Sequence, residues 1–252
     1  MSKYRSPDGL PVDICVFTIL SEQKKTITKS LPHKELHIML IERKKPPWEG
    51  KWALPGGFTR ENETLEHTAF RELREETNIG ENVHMEQLGA YYRPGRDPRG
   101  WMPTVVFVAL VDESRLAHRK AMDDAADVCL FPVTKALKME LAFDHREILQ
   151  DALVKIRTHM LTTTIAKEFL PPTFTISELY QVIQTIVPEF TEEKPNFVRK
   201  LVSTKTRKGL LEEVLDEYGH PLYSGRYSQR KAKLYRFTNY QPKISIYNSL
   251  MF

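Results

Sequence analysis

The chain has 252 residues, of which 41% are hydrophobic and 28% are charged. This balance is typical of a folded protein, and it excludes an intrinsically disordered chain and a collagen-like fibre. The length suits one large domain or two of modest size. The longest purely apolar run, residues 105–111, is far shorter than the roughly 20 residues of a membrane-spanning helix. No apolar segment follows the first charged residues, so we expect neither a secretory signal nor a membrane partner.

Cysteine content and charge distribution add two further expectations. Cys15 and Cys129 are the two cysteines, and both lie in apolar segments. A disulfide framework is therefore not expected, and a cytoplasmic location is. The net charge of +4 is unevenly distributed, because residues 160–252 hold 13 basic and 9 acidic residues while the first 159 residues balance. A basic C-terminal third indicates that the two parts of the chain have different partners.

The first part of the chain alternates between strand and helix patterns. Short β-branched apolar runs predict strands, and apolar residues at helical spacing predict helices. The predicted strands cover residues 12–20, 36–41, 87–92 and 103–111, the predicted helices cover 64–77 and 144–158, and a Pro/Gly-rich loop covers 44–57. This order indicates an α/β fold with a mixed sheet between helices.

The last part of the chain shows another order of elements. Pro171 and Pro172 cannot continue a helix, so residues 161–172 are predicted to form an extended linker. The following pattern predicts helices over 176–187 and 193–204, the first capped by Thr175 or Ser177, then strands over 210–215 and 233–237 around a turn. Two helices followed by a β-ribbon predict a winged helix-turn-helix domain over residues 173–252.

Three carboxylates crowd one face of the helix predicted over 64–77. Glu72, Glu75 and Glu76 have i, i+3 and i+4 spacing, so they share that face and repel one another. A cation would hold them together, and oxygen ligands of this kind suit Mg²⁺ or Mn²⁺. Arg71 could order a carboxylate such as Glu63. The alternative is a solvated acidic face, which the accompanying Gly-Gly loop and arginine disfavour.

These residues resemble the Nudix box, G-x5-E-x7-R-E-U-x-E-E-x-G-U, where U is bulky and aliphatic. The matching positions are Gly57, Glu63, Arg71, Glu72, Leu73, Glu75, Glu76 and Ile79. Asn78 stands where the family has glycine, and Asn is the residue that next best tolerates a left-handed helix exit.

The resemblance to the Nudix family implies a fold, a substrate class and roles for individual residues. The implied fold is an α/β/α sandwich over residues 1–160 that binds nucleoside diphosphates linked to another group. It implies a divalent cation, Mg²⁺ or Mn²⁺, held at Gly57, Glu72, Glu75 and Glu76. Catalytic roles are implied for Arg71, Glu75 and Glu76, and which glutamate acts as the base stays open.

A loop with three arginines follows the third predicted strand. Arg93, Arg96 and Arg99, with Asp97 between them, suit bidentate contacts to phosphate, although a salt-bridged turn is the alternative. The loop resembles that of ADP-ribose-type Nudix proteins, as do residues 123–133 and 141–145. By this resemblance the loop binds an ADP-ribose-like ligand. Asp124, Asp127 or His145 could supply a further acid–base group, whereas a lone histidine at a helix start is more often a cap or a packing residue.

Basic and amide side chains predict where the C-terminal domain contacts double-stranded DNA. On its second helix, Asn196 and Arg199 can contact base edges and Lys200 can contact phosphate. The predicted wing adds Arg226, Arg230 and Lys231, although a charge run is often only a solvated surface. The segment resembles the winged-helix tail of Nudix-related transcriptional regulators.

The two resemblances together predict a ligand-responsive transcriptional regulator. Its Nudix domain would bind ADP-ribose or a related nucleotide, and hydrolysis with Mg²⁺ stays open because the box carboxylates are intact. A homodimer would bind pseudo-palindromic DNA. The alternative is an ADP-ribose pyrophosphatase-type hydrolase whose C-terminal domain serves dimerisation only. The effector, the operator and the sign of regulation are left open.

Overall fold

The computed structural model describes residues 9–22, 30–80, 83–118, 125–202, 210–226 and 231–239. It divides into two compact units, the first comprising Met1–Thr18 and Leu36–Val154, the second Ile19–Glu35 and Lys155–Phe252. The division differs from the expected boundaries in that an N-terminal segment groups with the C-terminal third. No helix within the described ranges has the length and apolar character needed to cross a membrane.

A mixed seven-stranded sheet forms the framework of the first unit. Its strands are β1 (Pro11–Ser21), β2 (Lys34–Arg43), β3 (Trp52–Ala53), β4 (Gly56–Phe58), β5 (His84–Tyr91), β6 (Thr104–Leu110) and β7 (Ala125–Pro132). The order is β3-β2-β1-β6-β5, while β4 pairs with β1 and β7 pairs with β2. The β1–β6 pair is parallel, and the pairs β1–β4, β2–β3, β2–β7 and β5–β6 are antiparallel. The α/β fold with a mixed sheet is therefore confirmed.

Apolar strands at the centre of the sheet are covered by helices. Every residue of β6 is buried, which is the pattern of a strand covered on both faces. The helices of this unit are α1 (Leu65–Thr77), the short α2 (Val133–Ala136) and the first part of α3 (His145–Thr162), with a 3₁₀ helix at Glu113–His118. Ala69 and Leu73 bury the inner face of α1. The α/β/α sandwich follows from this layering.

Both ends of α1 are capped. The Thr64 hydroxyl accepts a hydrogen bond from the His67 N–H at 3.2 Å. Asn78 ends the helix with φ of 57°, and its N–H donates to the Arg74 carbonyl at 2.9 Å. The residue that replaces glycine in the box thus adopts the left-handed conformation that the position requires.

Several short elements were not predicted from the sequence. The predicted loop over 44–57 contains β3 and the start of β4, because Ala53 and Trp52 pair with the end of β2. The strand β7 and the four-residue α2 also went unpredicted, since the strand begins among aspartates and its partner β2 lies far away along the chain. Tertiary pairing outweighs local propensity in these elements.

The second unit contains helices followed by short strand pairs. Its elements are a 3₁₀ helix (Ile165–Phe169), α4 (Ile176–Ile186), α5 (Lys194–Val202), β8 (Leu211–Glu213), β9 (Tyr223–Ser224), β10 (Ala232–Lys233) and β11 (Tyr235–Phe237). The pairs β8–β11 and β9–β10 are antiparallel. The 3₁₀ helix lies within residues 161–172, where an extended linker was expected. Its Ile165 and Phe169 are buried, so this segment is packed and is not an extended linker.

A capping box and an aromatic cluster stabilise α4 and α5. Thr175, and not Ser177, caps α4: its hydroxyl accepts from the Glu178 N–H, and the Glu178 carboxylate accepts from the Thr175 N–H. Tyr180 packs edge-on against Phe190 and Phe197, with ring centroids 5.9 and 5.2 Å apart. The aromatic core fixes the position of α5 beside α4.

Candidate functional site

A cleft of about 730 Å³ opens in the first unit, beside β4 and the N-terminal half of β1. Pockets of this size hold drug-sized and nucleotide ligands. Its charged lining combines both signs: Asp13, Glu61, Glu72, Glu75 and Glu76 with Arg43, Lys44, Lys45, Arg60, Arg71 and Arg99. The cleft therefore has one carboxylate-rich part, from α1, and basic groups from the surrounding loops.

Arg71 lies at the centre of the carboxylates. Its Nε and Nη2 donate to the two oxygens of Glu63 at 2.7 and 2.9 Å, and Nη2 also donates to the Phe58 carbonyl at 2.8 Å. Its Nη1 donates to Glu72, and to Glu75 at 3.0 Å. Arg71 is thus a buried guanidinium with all its polar groups engaged, and it holds three box carboxylates in place. This bidentate bond is the main reason that the pKa of Glu63 falls to about 2.

Glu72 packs directly against the Gly-Gly segment. A Cβ atom at Gly57 would overlap the Glu72 carboxyl group, so a larger residue there would have to displace that carboxyl group. Burial raises the pKa of Glu72, and the Arg71 guanidinium opposes that rise. The backbone at Gly57 and the Glu72 carboxylate therefore form one compact oxygen-rich corner of the cleft.

Glu76 is the most deeply buried of the α1 carboxylates, with 8% of its surface exposed. Its Oε2 accepts a hydrogen bond from the Gly56 N–H at 2.7 Å. Burial raises its pKa to about 8, and the Glu72 and Asp13 carboxylates add to the rise. A site that opposes the ionisation of its own carboxylate is one that a cation would relieve.

The donor set fits a divalent cation by its chemistry. Among the residues that the structure describes, no three His, Cys, Asp or Glu side chains are already grouped to hold a metal ion. Arg71 pairs with Glu72 and Glu75, and Arg60 also donates to Glu75 at 3.2 Å, so these carboxylates face guanidinium groups. The oxygen donors at Glu72 and Glu76, close to the Gly57 backbone, are nevertheless of the type that Mg²⁺ and Mn²⁺ prefer.

His145 lies at the wall of the cleft and is fully buried. Its Nδ1 accepts a hydrogen bond from the Leu54 N–H at 2.9 Å, and Nε2 lies 3.6 Å from Asp13 Oδ1. Burial lowers its pKa, so the neutral form with the proton on Nε2 fits this environment. His145 is therefore a packing residue in the wall that also lines the cleft. Asp127 instead bonds to the Val128 N–H, and Asp124 lies outside the described residues.

The four residues of the predicted phosphate loop have different environments. The Arg96 side chain is 4% exposed and donates to both oxygens of Asp144 at 2.9 and 2.8 Å. The buried Asp97 accepts from Arg99, whose guanidinium lines the cleft. Arg93 is exposed and pairs with Glu147 at 2.8 Å. Of the four, Arg99 lines the cleft, while Arg96 and Asp97 stabilise the loop.

Three residues that line the cleft had been given no individual role from the sequence. Asp13 lies on β1, Arg43 ends β2, and Phe143 precedes α3 with φ of 53°. A charged residue at the end of a buried strand was the available signal for Arg43. Phe143 lies within the singled-out residues 141–145, but its contact with Arg43 could not be predicted because Arg43 lies 100 residues earlier in the chain.

Comparison with known proteins identifies the family. The NUDIX domain family matches residues 14–152, more than half of the chain. The chain belongs to the NUDIX family. The Nudix box lies on the Gly57 segment and α1, within the matched range, and Nudix hydrolases generally use divalent metal ions.

Two relatives and one solved structure are similar to this Nudix protein. It is 32% identical over 238 residues to the ADPR responsive transcriptional repressor NtrR of Acinetobacter baylyi, covering 94% of this chain and 84% of that protein. It is 42% identical over 118 residues to the ADP-ribose pyrophosphatase of Methanocaldococcus jannaschii, covering 47% of this chain and 66% of that protein. The crystal structure of Shewanella oneidensis NrtR complexed with a 27mer DNA has a TM-score of 0.69 at 27% identity, covering 94% of this chain and 98% of that chain.

The residues predicted to contact DNA all belong to the second unit of this Nudix protein. Asn196, Arg199 and Lys200 lie on α5, and Asn196 is half-buried. Arg226 and Lys231 are exposed near the β9–β10 pair, and Arg230 lies outside the described residues. The helices and the strand pairs thus occur in the predicted order.

Proposed function

We propose that the protein is an ADP-ribose-responsive transcriptional regulator. Its Nudix domain binds ADP-ribose or a closely related nucleoside diphosphate, and its C-terminal part binds double-stranded DNA. The observation that carries this proposal is the similarity to the Acinetobacter repressor across 94% of the chain, because that match includes both the Nudix domain and the basic C-terminal third. A regulator that acts on DNA would work in the cytoplasm.

In the Nudix domain, the proposed ligand occupies the cleft with a divalent cation, Mg²⁺ or Mn²⁺. Glu72, Glu75 and Glu76, with the backbone at Gly57, would hold the cation, which when bound neutralises diphosphate charge. Arg71 keeps the carboxylates in place, because its guanidinium bonds to Glu72 and Glu75.

The phosphate loop has a proposed role in binding the same ligand. Arg99 lines the cleft. Arg93 is exposed and would have to break its ion pair with Glu147 to contact the ligand. Arg96 and Asp97 contribute by fixing the loop, through Asp144 and Arg99 respectively. The loop is thus proposed to recognise the anionic part of an ADP-ribose-like molecule.

In the C-terminal part, the proposed module is a winged helix. The capped α4, the aromatic-anchored α5 and the strand pairs β8–β11 and β9–β10 have the order of that motif. Asn196, Arg199 and Lys200 would contact the major groove, and Arg226, Arg230 and Lys231 would contact the backbone. A homodimer would present two such modules to a pseudo-palindromic site.

Hydrolysis of ADP-ribose is the second candidate function. The box keeps Arg71, Glu72, Glu75 and Glu76, so all the carboxylates that could hold the cation or take a proton are present, and Glu76 is one candidate base. Glu75 is the other candidate base. A pure hydrolase would use its C-terminal part for dimerisation only.

Selection of DNA from a random library, followed by gel-shift titration, tests the proposal. We expect a salt-dependent preference for selected DNA, and its release on addition of ADP-ribose. The variants Arg199→Ala and Lys200→Ala should weaken DNA binding, with Lys138→Ala on the first unit as the control. Absence of any preference over random DNA would contradict the regulator. An assay of AMP release with Mg²⁺, with Glu76→Gln as the control, tests hydrolysis separately.

A further inference from the structure

Two guanidinium groups in the cleft share one aromatic ring. The Arg43 Cζ lies 5.0 Å from the centroid of the Phe143 ring, and the Arg99 Cζ lies 5.7 Å from the same centroid. Both distances are within the range of a cation–π contact. Two positive charges held this close repel each other, so the arrangement is favourable only with compensating negative charge nearby.

The hydrogen bonds of the two arginines are unequal. Arg99 donates from Nε and Nη2 to the buried Asp97, which fixes its position and offsets its charge. Arg43 donates from Nε to the Pro47 carbonyl at 2.9 Å, and within the described residues its Nη1 and Nη2 make no hydrogen bond. Partial burial and the charge of Arg99 both lower the pKa of Arg43. A half-buried guanidinium with open donors favours an anion.

The ring beneath the arginines is held in an uncommon backbone conformation. Phe143 has φ of 53° and Trp48 has φ of 67°, and such values are costly for bulky residues. The two side chains contact each other edge to face, with ring centroids 6.3 Å apart. Backbone strain of this kind persists where the surrounding structure over-determines the conformation.

We infer that Arg43 and Arg99, held over Phe143, form a guanidinium pair that binds the diphosphate group of the ligand. Arg43 supplies a planar fork of hydrogen-bond donors, Arg99 supplies a second guanidinium group that Asp97 holds in place, and Phe143 is a positioning residue for both. This inference rests on the proposed function, since it names the part of the nucleotide that this side of the cleft recognises. The ligand would then be bound at two places in the cleft. The cation would lie at the α1 carboxylates, and the phosphate groups would contact Arg43 and Arg99 directly.

Calorimetric titration of the full chain with ADP-ribose, ADP, AMP and inorganic pyrophosphate tests the pair. We expect Arg43→Gln to weaken binding of ADP-ribose and ADP by about ten- to a hundredfold, the size of a lost charged hydrogen bond. Binding of AMP should change much less, so the ratio of ADP to AMP affinity should fall. Arg43→Lys keeps the charge but loses the fork, and an intermediate loss is expected. Arg146→Gln, an exposed arginine outside the cleft lining, is the matched control.

Phe143 variants distinguish positioning from a merely structural role. Phe143→Leu should lower the ratio of ADP to AMP affinity. Phe143→Tyr should keep the wild-type ratio, because the ring face is retained. A change in thermal stability without a change in that ratio would contradict the positioning role.

Failure of the pair and failure of the proposed function give different results. If wild type and Arg43→Gln bind ADP-ribose equally well, the guanidinium pair is wrong and the proposed ligand stands. If wild type does not bind ADP-ribose, but pyrophosphate or ADP binds in an Arg43-dependent way, the proposed ligand is wrong and the pair stands.

Discussion

The buried Glu76 carboxylate makes the stability of the cation-free Nudix domain dependent on pH. Its pKa is raised to about 8 by burial and by neighbouring carboxylates, against 4.5 for the free side chain. A raised folded-state pKa contributes stability that is fully present below pH 4.5 and is lost as the pH rises through 8. At about 1.36 kcal/mol per pH unit, the shift corresponds to an upper limit of about 5 kcal/mol. Water entering the cleft lowers this, so we expect about 2–4 kcal/mol.

Replacing Glu76 by Gln should abolish that loss. In the presence of a chelator at pH 8.5, Glu76→Gln should be about 2–4 kcal/mol more stable than wild type, and near pH 5 the two should converge. Urea unfolding followed by tryptophan fluorescence measures this, because all three tryptophans lie in the first unit. Glu140→Gln, which removes an exposed carboxylate paired with Lys51, is the control. Equal stability of wild type and Glu76→Gln at pH 8.5, or a wild-type stability that stays flat from pH 5 to 8.5, would refute the reasoning.

Three further substitutions test the site and the core. Arg71→Ala leaves buried carboxylates without their partner, and urea unfolding should show a loss of about 3–5 kcal/mol that an unchanged midpoint would contradict. Gly57→Ala should displace the Glu72 carboxyl, so Mn²⁺ affinity measured by calorimetry should fall at least tenfold, with Gly80→Ala as a control in open space. Phe197→Ala opens the aromatic core of the second unit, so the free energy of unfolding should fall by about 3–5 kcal/mol in circular dichroism melts. An unchanged free energy of unfolding would mean that the aromatic cluster does not hold α5 in place.

Local patterns were enough for the parts of the fold and site that depend on nearby residues. The helix α1 and its carboxylate face follow from spacing within some twenty residues, and the left-handed Asn78 follows from the resemblance to the Nudix box. The parallel pair β1–β6 brings together segments about 90 residues apart, and only the apolar character of each strand could be predicted from the sequence. The mixed sheet was therefore predictable as a class, and its strand order was not.

The arginines in and near the cleft show most clearly what could not be predicted from the sequence. Arg93, Arg96 and Arg99 look equivalent in the sequence, yet Arg96 finds Asp144, 48 residues away, and becomes buried. Arg43 lies between the predicted strand 36–41 and the predicted loop 44–57, and its partner ring lies 100 residues further along the chain. Which arginine faces a ligand depends on such distant partners, and no alignment of local motifs contains them.

The guanidinium of Arg71 acts as a permanent internal counter-ion for the box. Because it neutralises and bonds to Glu63, Glu72 and Glu75, the carboxylates do not depend on a metal ion to stay in place. This is the opposite of a zinc finger, in which removing the metal unfolds the chain. Folding therefore does not require the divalent cation, although its binding at Glu76 would add stability. In a cell with little free magnesium or manganese, the cleft would lose its cation while the protein stayed folded and resistant to proteolysis.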